Sequence, residues 1–255
     1  MTSSLESALV LGIDIGTSGV RAVLMNSKFD VVAQQSSLLS DFGSNHRNPA
    51  FWWKSLESTL DQLRMEAHAQ WSQVAGISVD GTSGTMLALN NKFEPIGDAL
   101  MYNDPVEDPH VLEQIRQYAP RESAAHGATS GLAKLMKLQE LRGGHRVLHQ
   151  ADWILGKFIG EYRWSDENNS LKTGFDPIHR EWPDWISQTK ARCELLPDPK
   201  EPGQVTGEID QKIADRFGLE KDIKIVSGTT DGCAAFLATG ASEIGDGVTS
   251  LGSTL

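Results

Sequence analysis

Cysteine is scarce in this chain: only Cys193 and Cys233 occur, forty residues apart, with no Cys-x-x-Cys or Cys/His ligand spacing. A structural zinc site is therefore not expected, and two reduced thiols are. Positive charge is also short. There are 23 Lys and Arg against 34 Asp and Glu, for a net charge of −11. A general nucleic-acid binder needs a basic face to meet phosphates, so the balance argues against that class. It does not argue against one bound nucleotide, because backbone N–H groups hold phosphates without net positive charge. No stretch approaches the ~20 apolar residues of a membrane span. The N-terminus lacks the basic opening and long apolar run of a secretory leader. The expectation is a cytoplasmic protein with no membrane partner. No P-loop (GxxxxGK[ST]) occurs, and no repeat of fixed period.

What is present suits a globular domain. The chain has 255 residues, 39% hydrophobic and 22% charged, enough for a core without covalent staples. Residues 8–14 form an apolar, β-branched run ending at an acid, and 20–25 and 30–37 are further strand candidates, so the opening reads as a β-β-β meander. Residues 50–68 place Trp53, Leu56, Leu60 and Leu63 at helical spacing behind Asn48-Pro49. Residues 74–79 and 85–89 read as strands. The stretch 105–150 reads as mostly helical and 151–160 as a short apolar helix. Residues 163–200 read as irregular structure with short helices. A strand at 223–227 is followed by Gly-Thr-Thr-Asp-Gly and a small-residue helix from Cys233 to Gly240. Hairpins first, then strands alternating with helices, predict an α/β fold with a mixed sheet flanked by helices.

Four segments could carry chemistry, and each has a plain alternative. Residues 12–19 bring Asp14 to a strand end before Gly16, Thr17, Ser18 and Gly19. Backbone N–H groups and the two hydroxyls could face a phosphate there, and Asp14 could hold Mg²⁺ through water; the alternative is an ordinary hairpin. A strand follows these glycines where a dinucleotide fingerprint needs a helix. Residues 80–84 put Asp80 and Ser83 at a strand end, the usual ligand position in open α/β sheets, or simply form a turn. Asp231, at a strand-to-helix junction, could take a proton from a hydroxyl or act as an N-cap. Gly252, Ser253 and Thr254 repeat the Gly-hydroxyl chemistry, or form a tail. Tyr102 could stack on a sugar, although single aromatics usually pack.

Taken in order, these segments resemble the FGGY family of carbohydrate kinases, which includes xylulokinases, ribulokinases and glycerol kinases. The resemblance runs over almost the whole chain: residues 12–23, Asn48-Pro49 with Trp52-Trp53, residues 101–104, Asp152-Trp153-Ile154-Leu155 with Gly160, Leu196-Pro197 with Gly203 and Gly207, residues 228–232, and residues 252–254. It implies a ribonuclease H-like fold of the sugar kinase and actin superfamily. Residues 1–243 would be the sugar-binding domain, and 244–255 the first strand and turn of a nucleotide-binding domain.

By position, Asp231 would be the general base and Asp14 would organise Mg²⁺ and the phosphoryl group. Gly16, Thr17, Ser18, Gly252, Ser253 and Thr254 would hold ATP phosphates. Asp14, Asp80, Ser83, Tyr102, Asp104 and Asp231 would line the sugar. Xylulokinases typically read Gln-Met-His-Gly where this chain has residues 80–84, so D-ribulose is expected ahead of D-xylulose. The competing expectations are a non-catalytic, actin-like nucleotide-binding protein and an inactive kinase fragment that only binds sugar.

Overall fold

The computed structural model describes residues 8–249. Strand β1 (Leu9–Ile15) turns back into β2 (Gly19–Met25), and β3 (Val31–Leu38) completes the antiparallel meander. Along β1, Leu9, Leu11, Ile13 and Ile15 are buried while Val10 is exposed, the alternation of a strand with one face in the core. Helix α1 (Pro49–Glu66) follows. The Asn48 side chain accepts from the Ala50 amide and Pro49 fills the first turn, a strong local start signal. Trp52, Leu56, Leu60 and Leu63 form its buried stripe.

Strand β4 (Val74–Gly81) pairs parallel with β1, and β5 (Met86–Leu89) begins a smaller unit. That unit holds α2 (Pro109–Tyr118), α3 (Gly131–Leu138) and β6 (Arg146–His149), which pairs antiparallel with β5. Helix α4 (Gln150–Ile159) returns to the main core, where Trp153 meets Trp52 edge-on at 6.2 Å. Strand β7 (Trp164–Asp166), α5 (Glu167–Leu171), α6 (Trp185–Gln188) and β8 (Asp198–Lys200) come next, with β7 and β8 paired in parallel. The described chain closes with β9 (Val205–Glu208), α7 (Gln211–Phe217), β10 (Lys224–Thr230) and α8 (Asp231–Leu237).

The main sheet runs β3-β2-β1-β4-β10-β9 among the described residues. Strands β1, β4 and β10 are mutually parallel neighbours, so their carboxyl ends share one edge. The structure has the expected mixed sheet flanked by helices. It corrects the reading of residues 105–150 as mostly helical. Helices occupy 109–118 and 131–138, and 146–149 is a strand. Four residues are too few to declare a period, and Val147 and Leu148 are buried on both sides by the second core cluster and the first. The strand pair β7–β8 and the elements β9 and α7 are further additions. No helix among the described residues is long and apolar enough to cross a membrane.

Candidate functional site

The first hairpin sets one side of the site. The Gly16 amide donates to the Gly19 carbonyl at 2.9 Å, which leaves Thr17 and Ser18 exposed at the tip. Gly16 therefore shapes the turn, while its own N–H is not free for a phosphate. Neither Gly16 nor Gly19 has a positive φ, so left-handed backbone is not what calls for glycine here. Gly19 is needed for close approach, since a Cβ there would stand 2.6 Å from the Ser37 carbonyl oxygen on β3. Across the hairpin Asp14 faces Arg21, whose Nη1 donates to Asp14 Oδ2 at 2.7 Å. Arg21 was legible from hairpin arithmetic: if Ile15 opposes Val20, Asp14 must oppose Arg21.

Asp80 lies directly beside Asp14 in the parallel β1–β4 register. Its Oδ1 is buried without a hydrogen-bond partner. Burial pushes its pKa up to about 8, reinforced by the Asp14 charge, a hydrogen bond with Asp14 and the Asp231 charge; Arg21 pulls the other way. Three carboxyl groups thus meet at one sheet edge, and the middle one holds a proton near neutrality.

A folded-state pKa above the unfolded value of 3.8 means the native protein binds the extra proton. That stabilisation is complete below the unfolded value and is lost as pH rises toward about 8. For the metal-free protein, Asp80→Asn is expected to remove this slope, up to about 1.4 kcal/mol per pH unit. Urea denaturation from pH 5 to 8 checks it, with the variant gaining on wild type as pH rises. A constant gap between the two would refute the assignment.

The turn after β4 is fastened from within. Thr82 donates its amide (3.1 Å) and hydroxyl (2.9 Å) to Gln150 Oε1, and its hydroxyl lies 2.6 Å from that of Thr85. Both threonines point inward, whereas Ser83 is half-buried. Gly84 adopts a φ of +87°, a conformation that favours glycine.

Asp231 completes the edge. At Gly228 a Cβ would overlap the Val79 carbonyl oxygen, so β10 presses on β4 where the ladder shifts register between Val226 and Thr229. The Thr230 hydroxyl caps α8 by accepting from the Cys233 amide. Asp231 is therefore not the N-cap, and its carboxylate is exposed. Its Oδ1 accepts from the Gly232 amide at 2.8 Å and lies 3.4 Å from the Ser83 amide. Behind it, Asn168 Nδ2 donates to Thr229 Oγ1 (2.8 Å) and Asn169 Nδ2 to the Thr229 carbonyl (3.2 Å).

The 101–104 segment is only partly as expected. Tyr102 is 47% exposed, with its amide donating to Thr85 Oγ1 at 2.9 Å. Asp104, expected to line the sugar, is instead engaged by a two-pronged Arg47 pair and by the Met101 amide at 2.7 Å. Burial works against its charge, but Arg47 and Met101 outweigh it and hold the carboxyl below its usual range. Asp104 anchors the loop rather than offering a free ligand atom. Arg47, Lys134 and Gln150 were missed because their partners are far away in sequence.

Gly252, Ser253 and Thr254 lie outside the described residues. Among the described residues no group of three or more His, Cys, Asp or Glu could hold a metal ion. Asp14, with the unpartnered Asp80 oxygen beside it, fits a hard cation held through water and one or two carboxylates. Both cysteines are free thiols.

Residues 9–130 match the model of the FGGY family of carbohydrate kinases, N-terminal domain. A xylulose kinase of Lactococcus lactis subsp. lactis (strain IL1403) is 27% identical over 263 residues, covering 96% of this chain and 52% of that protein. One of Klebsiella pneumoniae is 25% identical, covering 96% and 53%. The chain spans about half the length of the curated relatives it matches. The crystal structure of xylulose kinase from Rhodospirillum rubrum superposes with a TM-score of 0.80 at 24% identity, over 93% of this chain and 52% of that one. The last of these is a likeness of fold.

Proposed function

We propose that this chain, whose residues 9–130 match the model of the FGGY family of carbohydrate kinases, N-terminal domain, is the sugar-binding half of an ATP-dependent kinase that phosphorylates a ketopentose, with Asp231 as general base. The supporting observation is the meeting of Asp231 with the Ser83 turn, and of Asp14 with the Thr17-Ser18 tip, at the carboxyl ends of three adjacent parallel strands.

Phosphoryl transfer asks the protein mainly for positioning and charge stabilisation. Asp231, exposed beside small neighbours, accepts the proton of the attacking sugar hydroxyl. Ser83 and Tyr102 contact other hydroxyls and the carbon face of the sugar. The amides and hydroxyls of Thr17 and Ser18 hold phosphate oxygens, with the Arg21 cation close by. Asp14, with Asp80 beside it, would hold Mg²⁺ through water; that ion supplies neutralisation of phosphate charge when bound. Residues 1–243 form the sugar domain in this reading. Residues 244–255 open a second domain whose Gly252, Ser253 and Thr254 contribute a further phosphate turn. Phe236, Leu237, Ile244 and Val248, all exposed, suit the face that such a domain covers.

The names of the relatives favour D-xylulose, while residues 80–84 of this chain keep D-ribulose as the second substrate. Calorimetric titration of the chain with D-xylulose, D-ribulose and glycerol, beside ADP release with ATP and Mg²⁺, tests the proposal. Pentulose binding with sugar-dependent ADP release is the expected result. Binding without release leaves an inactive fragment, and nucleotide hydrolysis indifferent to sugar leaves an actin-like ATPase. Absence of pentulose binding ends the reading.

A further inference from the structure

Lys134 is completely buried. A lysine so placed on an apolar helix needs a reason, because burying an ammonium is costly unless its donors are matched. Here each of its three protons has an acceptor: the carbonyls of Gly84 (2.7 Å), Met101 (2.7 Å) and Tyr102 (3.0 Å). These carbonyls belong to two separate turns, one following β4 and one in the 101–104 loop.

We propose that Lys134, together with Thr85, is a positioning residue that locks these two turns to each other and so sets the shape of the sugar-binding face. Thr85 is the second pin, since its hydroxyl accepts from the Tyr102 amide while contacting Thr82 on the first turn. The lock reaches the reacting edge, because the residue before Gly84 is Ser83, whose amide faces Asp231. It also aims Tyr102, whose carbonyl and amide are both held. The helix carrying Lys134 is itself fixed. Ser130 caps it by accepting from the Ala133 amide, and Gly131 packs so closely on Thr173 that a Cβ would collide with the threonine hydroxyl. Burial pulls the ammonium pKa down to about 8, Asp104 holds it up and Lys172 adds to the fall. A charge kept at that cost suits a pin between turns better than a filler of core volume, which methionine would supply without penalty.

The consequence for sugar rests on the ketopentose reading; the locking of the turns does not. Lys134→Met keeps the volume and removes the ammonium donor from the Gly84, Met101 and Tyr102 carbonyls, of which Met101 alone keeps another, the Asp104 amide. It is expected to raise backbone hydrogen exchange at least tenfold in residues 82–85 and 101–104, with the β1–β2 hairpin unchanged, and to weaken D-xylulose binding at least tenfold by calorimetry. Thr85→Val is expected to raise exchange at Tyr102 and to weaken the sugar less. A folded Lys134→Met whose two turns exchange like wild type overturns the proposal. If that variant does not fold, unchanged exchange at 101–104 in Thr85→Val overturns it. If wild type binds no pentulose yet the turns loosen together, the lock stands and the kinase reading falls.

Discussion

Asp231→Asn is expected to lower the turnover of the active kinase by about 10²–10⁴-fold, the usual contribution of a general base, while sugar and nucleotide affinities stay within a few-fold. The substitution keeps an acceptor for the Gly232 amide, which the present carboxylate uses at 2.8 Å, and removes only the ability to take a proton. Local geometry frees Asp231 for this role, because Thr230 caps the helix in its place. The measurement is steady-state ADP production alongside calorimetric binding of each ligand. Turnover within threefold of wild type would exclude Asp231 as the base. A loss appearing wholly in sugar affinity would make it a binding residue instead.

Gly228→Ala is expected to show the second large effect, on stability and site geometry together. The new methyl would overlap a backbone carbonyl, Val79 O, rather than a side chain that could rotate away. Strand β10 must then lift from β4 where the ladder is already irregular. Overpacking of this kind costs about 1–3 kcal/mol, and the displaced segment leads directly to Thr229, Thr230 and Asp231. Gly232→Ala is the stability control. Nothing lies within 4 Å of a Cβ there, and alanine in a helix gains up to about 1 kcal/mol over glycine. Denaturant melts of both variants are expected to move in opposite directions; equal midpoints would mean that β10 and β4 do not meet as described.

Features set by short-range forces are legible in the sequence, and those set by long-range contacts are not. The meander, α1 with its Asn48-Pro49 start, and the acid at the end of β1 were visible because alternation, caps and turn residues act between near neighbours. Gly19 and Gly228 were visible as glycines, but the need for them was not, since the atoms that exclude a Cβ belong to other strands. Strand β6 was lost inside a stretch read as mostly helical because its burial comes from two clusters that are assembled only on folding.

Lys134 is the clearest case. In Leu-Ala-Lys-Leu-Met-Lys it looks like any lysine on a helix, and nothing local says that three carbonyls 33, 32 and 50 residues away will surround it. Asp104 is the converse, a residue that fits a sugar site by position but whose carboxylate is taken by Arg47, 57 residues earlier.

By itself the sequence determined the α/β class, the strand-then-acid placement of Asp14, Asp80 and Asp231, and the hydroxyl turn at Thr17 and Ser18, because each is written in residues that touch along the chain. Only the tertiary structure decided that β4 lies between β1 and β10, which brings the three acids to one edge and drives the Asp80 pKa up to about 8. Strand order and burial depend on pairings between distant segments, and those are fixed by the folded whole.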